Sequence, residues 1–201
     1  MKFLINLMII SSVLISCKET TSKKEYKPDS SGTINSLLVV VDNNLWTSSV
    51  GTSIRRYIGS EVYGLPQVES QFDLRQVPSS VFSDFVRMNR IILKVQISED
   101  QSVKYYTNPY AKPQKMIVVS GPSHQILTEL IEQNAPQIIN VIKTEELKER
   151  QRRIKKSLFN TNAIEKSLGI KLNIPSVYRI AKNKEDFFWI RRDTKTGIIN
   201  L

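Results

Sequence analysis

The only cysteine of the chain, Cys17, ends the run Leu14-Ile15-Ser16-Cys17. An aliphatic residue, a second aliphatic or small residue, a small residue and then cysteine form the pattern of a bacterial lipobox. The chemistry that this pattern predicts is attachment of lipid to the Cys17 thiol, with cleavage of the chain before Cys17. An acylated cysteine cannot also be a catalytic thiolate, and a single cysteine cannot form an internal disulfide bond.

Residues 1–16 have the composition of the removable signal peptide that such chemistry requires. The chain starts with a positive charge at Lys2, and residues 3–15 are apolar apart from one asparagine and two serines. This apolar stretch is about 13 residues long, shorter than the ~18–20 residues of a spanning helix. The alternative is a buried N-terminal element that happens to end in cysteine. The wholly polar residues 18–24 disfavour that alternative.

The remaining residue types disfavour a nucleophilic or metal-dependent site. His124 is the only histidine, whereas serine and cysteine triads use a histidine base and zinc sites need three or four ligands. We therefore favour an ordinary surface role for His124 and predict no catalytic residue, no metal and no cofactor. Paired carboxylates stay open as an alternative, because Asp and Glu are common and a sequence does not give their separation in space.

Two polar positions follow predicted strands. Asp42 comes at the carboxyl end of the first strand, where sites are often built, but it is also placed to cap the next helix, which we favour. Residues 120–123, Ser-Gly-Pro-Ser, join a strand to a helix start and could receive an anion. They lack the Gly-rich, Lys-bearing pattern of a phosphate loop, so we favour a plain turn.

Residues 143–156 form a run of charge, with seven basic and three acidic side chains. Two pairs have the i,i+4 spacing that supports a solvated helix, Glu146 with Arg150 and Glu149 with Arg153. The net excess of four positive charges could instead bind an anionic surface. Leu147, Ile154 and Leu158 are expected to form an apolar stripe on this helix. The candidate residues for anionic binding are those expected to project away from the stripe: Lys148, Arg152, Lys155 and Lys156. We favour the solvated face and keep these four residues as the candidate anionic-surface site.

A second basic candidate combines Trp189 with Arg191 and Arg192 on a predicted strand. Such residues could stack on sugars or pair with phosphates. We favour a plainer interpretation, in which one aromatic face of the strand is core and the arginines form its rim.

The charge and the predicted address together limit the partners. The formal net charge is +10, and loss of Lys2 with the signal leaves +9, from 28 basic and 19 acidic residues. Residues 17–33 are too polar to bury a core, so we predict a lipidated flexible tether. A basic exported protein is attracted to anionic lipid or envelope glycan. The membrane, through the lipid anchor, is therefore the first expected partner, other envelope proteins are further candidates, and nucleic acid is not expected.

Hydrophobic patterning over residues 34–201 predicts one α+β domain. The expected elements are a strand at 36–42, a helix over 45–58, a possible short strand at 71–77, a helical turn at 80–88, strands at 90–97 and 115–120, a loop or irregular hairpin arm between them at 98–113, a long helix from 123 to about 159, a short helix ending at Gly169, and strands at 176–182, 187–192 and 198–201. Pro136 should kink or split the long helix. The order predicts a ferredoxin-like split βαβ fold (β-α-β-β-α-β), an antiparallel sheet with helices on one face, plus a C-terminal hairpin.

Four short segments carry a family resemblance. They are the strand 36–42, the run Tyr110-Ala111-Lys112-Pro113-Gln114-Lys115, the run Leu172-Asn173-Ile174-Pro175-Ser176-Val177-Tyr178, and Phe188-Trp189-Ile190-Arg191-Arg192. In this order they resemble a family of Bacteroidota lipoproteins of unknown function, over residues 33–201. The resemblance implies the lipid-accepting role of Cys17 and a longer chain, so we expect the domain to continue beyond Leu201. It implies no catalytic residue.

Two functional hypotheses follow. The first is a membrane-anchored cell-envelope protein, held at the outer membrane, that acts as a binding or scaffold protein. The second is an envelope hydrolase that acts on glycan or lipid with paired carboxylates, or with residues beyond Leu201. The lipobox, the tether and the basic charge favour the first hypothesis.

Overall fold

The computed structural model describes residues 26–201. The predicted signal peptide, Cys17 and the first part of the tether lie outside these residues. The elements of the first part of the structure are β1 (Ser36–Val40), α1 (Asn43–Trp46), α2 (Ser49–Ser53) with a π-helical turn (Ile54–Ile58), β2 (Asp73–Val77), two 3₁₀ turns (Ser79–Val81 and Asp84–Met88), β3 (Ile91–Ile97), β4 (Ser102–Thr107), β5 (Lys115–Gly121) and α3 (His124–Lys155). The second part contains α4 (Asn162–Leu168), β6 (Arg179–Lys184), β7 (Phe187–Asp193) and β8 (Ile198–Asn200).

Five strands form a mixed sheet in the order β2-β1-β3-β5-β4. Strand β1 runs parallel to β2 and β3, β3 runs parallel to β5, and only β4 is antiparallel to its neighbour β5. The predicted ferredoxin-like antiparallel sheet is therefore wrong in strand order and direction, although the α+β class is confirmed. After β1, and again after β2, the chain crosses back to the end of the sheet where β1 began before it enters the next strand. These two crossings make β1, β2 and β3 parallel.

The two faces of the sheet are covered differently. Helices α1, α2 and α3 pack on one face, where Leu37, Leu93 and Ile117 belong to the main core. On the other face Phe82, which lies between the two 3₁₀ turns, packs in a smaller cluster with Leu38 and neighbouring strand residues. The continuous apolar runs of β1 and β3 fit strands that are buried on both faces.

Helix α3 is one continuous helix of 32 residues that contains Pro136. The prediction that this proline splits the helix is wrong. Pro136 is exposed, so its ring lies on the solvent side while the inward residues continue without interruption. The buried residues of α3 are Leu127, Ile131, Ala135, Ile138, Ile142, Glu146 and Glu149. The apolar stripe thus ends in two buried carboxylates, near the point where the strands begin.

The C-terminal part has its own small core. Strands β6, β7 and β8 form an antiparallel sheet, as the predicted strands and turn indicated. Ile164 of α4, Ile174 and Ile190 are its buried residues. Within residues 26–201, no helix combines the length and the apolar character needed to cross a membrane.

Candidate functional site

The charged groups concentrate at the amino edge of the five-stranded sheet, the edge at which β1, β2, β3 and β5 begin. The N-terminal segment 29–35 runs along this edge before it enters β1. Asp29 forms a β-bridge with Lys112, and Ser31 forms one with Asn89. The chain that leads from the predicted tether is therefore fixed at the amino edge.

A buried ion pair links this segment to α3. Arg90 lies directly before β3, and its guanidinium donates to both carboxylate oxygens of Glu146, at 2.7 and 2.9 Å. It also donates to the carbonyl oxygens of Gly32 and Thr33, while Glu146 accepts from the backbone N–H of Asn35 at 2.8 Å. Both side chains are at most 5% exposed. A buried pair needs further hydrogen bonds to offset its desolvation. Those to Gly32, Thr33 and Asn35 supply them, although within residues 26–201 the Arg90 Nε has no partner.

One turn further along α3, Glu149 forms ion pairs with two arginines. Its carboxylate accepts from Arg152 at 2.7 and 2.9 Å and from Arg153 at 2.6 Å. The hydrogen bonds from Arg152 lower the pKa of Glu149 to about 2, with Arg153 acting in the same direction and burial opposing both. Arg153 in turn donates to the carbonyl oxygen of Gly32 at 2.8 Å. A carboxylate held ionised in this way is unsuited to act as a general acid near neutral pH.

The four predicted anionic-surface residues lie together at the C-terminal end of α3, and all four are exposed. We call them the basic end: Lys148, Arg152, Lys155 and Lys156. Lys148 pairs with Glu145 at 2.9 Å, and its side chain is 65% exposed. Arg152 pairs with buried Glu149 but keeps a side chain that is 49% exposed. The basic end therefore keeps its charge in contact with solvent.

The predicted apolar stripe beside the basic end is wrong. Leu147 is 56% exposed and Leu158 is also exposed. The inward face continues instead from Ile142 to Glu146 and Glu149. Both glutamates were expected on a solvated face of the helix. The expected pair of Glu149 with Arg153 is present. Glu146, however, pairs with Arg90 and not with Arg150. The spacing of 138, 142, 146 and 149 was the signal that could have placed both carboxylates inward.

A small cavity of about 120 Å³ lies between the basic end and the strand starts. Its lining includes Arg90, Lys115, Lys148, Glu149 and Arg152. Lys148 and Arg152, two of the four residues of the basic end, thus also line this cavity at the amino edge.

Comparison with family models assigns the part of the chain that carries this edge. Residues 30–155 match DUF8532, a domain of unknown function, over more than half of the chain. The chain belongs to the DUF8532 family. Residues 157–201 match a second domain of unknown function, DUF4837. No curated protein and no solved structure matches the chain.

The family boundary coincides with a structural one. The DUF8532 region ends at Lys155, the last residue of α3, and therefore contains the whole five-stranded sheet and three of the four residues of the basic end; Lys156 lies just beyond it. The DUF4837 match contains α4 and the three-stranded sheet. The region that sequence patterning predicted as one domain is thus covered by two family models.

The remaining candidates of the DUF8532 region lie at the opposite, carboxyl edge of the sheet. Asp42 occupies the N-cap position of α1, but its carboxylate accepts from the backbone N–H of Ser79 at 2.9 Å and makes no cap hydrogen bond. The predicted cap is therefore wrong for its side chain. Ser123 caps α3 by accepting from the N–H of Ile126, and His124 is exposed in the first turn. None of the three comes near the basic end.

Trp189 and its arginines lie on β7 of the C-terminal sheet, in the part of the chain that follows α3. The indole Nε1 donates to Asn200 at 2.9 Å, and Arg191 pairs with Asp193 at 2.6 Å. Ile190, and not Trp189, belongs to the small core. Phe188, on the same face as Ile190, packs against that core, as the plainer interpretation expected, whereas Trp189 on the other face is 37% exposed.

Sequence analysis missed an open cleft beside the edge strand β2. Its volume is about 540 Å³, and its lining includes Trp46, Arg55, Phe72 and Asp73. The Arg55 guanidinium lies 4.6 Å from the centre of the Trp46 ring, in a cation–π contact. The π-helical turn that carries Arg55 has no sequence signature that patterning could have found.

In residues 26–201, no group of three or more His, Cys, Asp or Glu residues is placed to hold a metal ion.

Proposed function

We propose that this chain is a lipid-anchored protein of the bacterial cell envelope, attached through Cys17, with a binding or scaffold role. We further propose that its amino edge faces the membrane and that the basic end contacts anionic head groups. The proposal is supported by the lipobox pattern and by the position of the basic end. The resemblance to Bacteroidota lipoproteins supports the same assignment, and Lys18-Glu19 directly after the cysteine favours the outer membrane.

One observation carries the orientation. The N-terminal segment 29–35, which includes the last residues of the predicted tether, is bound to the same end of α3 that carries the exposed basic residues, through Arg153 and the carbonyl oxygen of Gly32. Ten residue steps separate Cys17 from Lys27, and at roughly 3.5 Å per residue they reach about 35 Å at most. An anchor at Cys17 would therefore keep the basic end within reach of the bilayer surface.

The expected attraction is electrostatic. Each basic residue near an anionic surface contributes about 1 kcal/mol, so the four residues of the basic end can add several kcal/mol to an encounter. Salt weakens this attraction, because screening acts over about 8 Å at physiological ionic strength. Envelope glycan and other envelope proteins are further proposed partners for the surfaces that face away from the membrane.

Metabolic labelling with a fatty-acid analogue tests the anchor. The wild-type protein should carry the label, and Cys17→Ser should abolish it and leave an unprocessed or released protein. Equal labelling of both proteins would refute the anchor.

Vesicle binding tests the basic end. The mature chain from residue 17, with Cys17→Ser to prevent acylation, should bind anionic vesicles at low salt and dissociate as salt rises. Changing Lys148, Arg152, Lys155 and Lys156 to Gln should weaken binding at least about tenfold. A control variant loses the same charge elsewhere, by changing Lys171, Lys182, Lys184 and Lys195 to Gln. It should bind nearly as the parent does. Equal binding by the basic-end variant and the parent would contradict the proposal.

A further inference from the structure

The loop between the π-helical turn and β2 exposes an unusual set of apolar side chains. Tyr63 is fully exposed, Val68 is 77% exposed, and Val62 and Leu65 are also exposed. We call residues 62–68 the apolar tip. The tip contains no charged residue, and Glu61 and Glu69 flank it. An exposed apolar patch on a protein surface marks a contact with a partner or a membrane.

The base of the loop holds the tip away from the core. The N–H of Val62 donates to the carbonyl oxygen of Glu69 at 2.8 Å, and that of Gln71 donates to Ser60 at 2.9 Å. Glu61 and Ser70 form a β-bridge. Gly64 adopts a positive φ of 85°, a conformation that glycine takes without strain. The backbone therefore doubles back and presents the apolar tip at the end of a paired stem.

The apolar tip lies at the same edge of the sheet as the basic end. The loop leads into β2 at Asp73, whose N–H donates to Asn35 at 2.9 Å, and the N–H of Asn35 donates to Glu146 at 2.8 Å. Strand β2 is at one border of the sheet, and the N-terminal segment lies beside the turn before β5, near the other border. Three strand spacings of about 4.8 Å separate β2 from β5, roughly 14 Å in all.

We propose that the apolar tip inserts into the interfacial layer of the bilayer to which the chain is anchored. This inference rests on the proposed function and adds an apolar contact to its electrostatic one. The amino edge carries three features that suit a flat anionic surface: the entry of the tether, the basic end and the apolar tip. Tyrosine is favoured at the level of the head groups, where its ring is partly apolar and its hydroxyl stays hydrated. The uncharged tip lets Leu65 and Val68 enter without carrying a charge into the bilayer.

The test compares two triple variants of the mature Cys17→Ser chain on vesicles of phosphatidylglycerol and phosphatidylcholine. The tip variant carries Tyr63→Ser, Leu65→Ser and Val68→Ser. The control carries Val81→Ser, Ile97→Ser and Val177→Ser, which also removes three exposed apolar side chains. All six positions are exposed, and thermal unfolding of each variant checks that the fold is intact.

The tip variant should bind at least about tenfold more weakly than the control, since this apolar area no longer leaves water. At high salt, the parent should keep a residual affinity that the tip variant lacks, because apolar insertion is not screened. Equal binding by the tip variant and the control would overturn the inference. If the basic-end variant still loses binding in that case, the proposed function survives without it. If the parent does not bind vesicles at either salt concentration, both proposals fail.

Discussion

Glu149 illustrates at the residue scale how one carboxylate organises the basic end. It accepts hydrogen bonds from Arg152 and Arg153 and is itself buried. The two arginines are thereby held at the surface with defined positions, while one negative charge offsets part of their repulsion. Removing that carboxylate should lower stability and leave the outward positive charge in place.

The depressed pKa of Glu149 predicts a pH dependence of stability. Its folded-state pKa is about 2, against an ordinary value of 4.5. The stabilisation is therefore fully present above about pH 4.5 and is lost as pH falls toward 2, with an upper limit of about 3 kcal/mol. Urea unfolding should give a lower free energy of unfolding for Glu149→Gln than for wild type at pH 7, and the difference should shrink at pH 3. A difference that is constant with pH would contradict this account.

The sequence alone does not reveal the role of Glu149, for a physical reason. A glutamate on a charged helix is usually solvated, and its i,i+4 neighbour Arg153 gave it a sufficient surface partner. The spacing from Ile138 and Ile142 puts Glu149 on the inward face of α3, but the packing of this last part of the helix over the strand starts depends on distant segments. The i,i+4 pair with Arg153 was predicted correctly, and the additional hydrogen bonds from Arg152 were not.

At the scale of elements, the Arg90–Glu146 pair joins three separate parts of the chain. It connects the residue before β3, the inward face of α3 and, through Gly32, Thr33 and Asn35, the segment that precedes β1. The predicted tether runs into that segment, so this pair fixes where the proposed anchor would meet the fold.

Breaking this pair from one side should be costly. Glu146→Gln leaves the buried Arg90 charge without a counter-charge and should lower the free energy of unfolding by about 3–5 kcal/mol. The exposed Glu165→Gln serves as a control and should change it by no more than about 0.5 kcal/mol. The double variant Arg90→Leu/Glu146→Leu should be more stable than Glu146→Gln, because neither charge is then buried alone. Urea unfolding measures all three, and a double variant less stable than Glu146→Gln would contradict the argument.

Most elements were predictable, and their arrangement was not. The apolar runs of β1, β3 and β5 and the helical spacing of α3 are strong local signals, and all four elements are present. Strand β2 gave a weak signal because it is an edge strand with exposed Asp73 and Arg75. Strand β4 is polar and Tyr-rich, so the prediction allowed only a loop or hairpin arm. The strand order depends on pairing between distant segments, and a list of elements does not determine it.

At the scale of the whole molecule, the two edges of the sheet differ in character. The amino edge carries the tether entry, the basic end and the apolar tip, whereas the carboxyl edge carries Asp42 and the start of α3. In α/β sheets ligands commonly bind at the carboxyl edge, so a membrane contact at the amino edge would leave that edge facing away from the bilayer. We therefore propose that the amino edge faces the membrane and that the carboxyl edge faces away from it.

Depth-dependent fluorescence quenching tests that claim most directly. The mature Cys17→Ser chain has no cysteine, so single cysteines introduced as Gln151→Cys, beside the basic end, and Glu99→Cys, at the carboxyl edge, can each carry one fluorophore. With vesicle-bound protein and lipids that carry a nitroxide quencher, the account predicts strong quenching at position 151 and little at position 99. Stronger quenching at position 99 than at position 151 would contradict it.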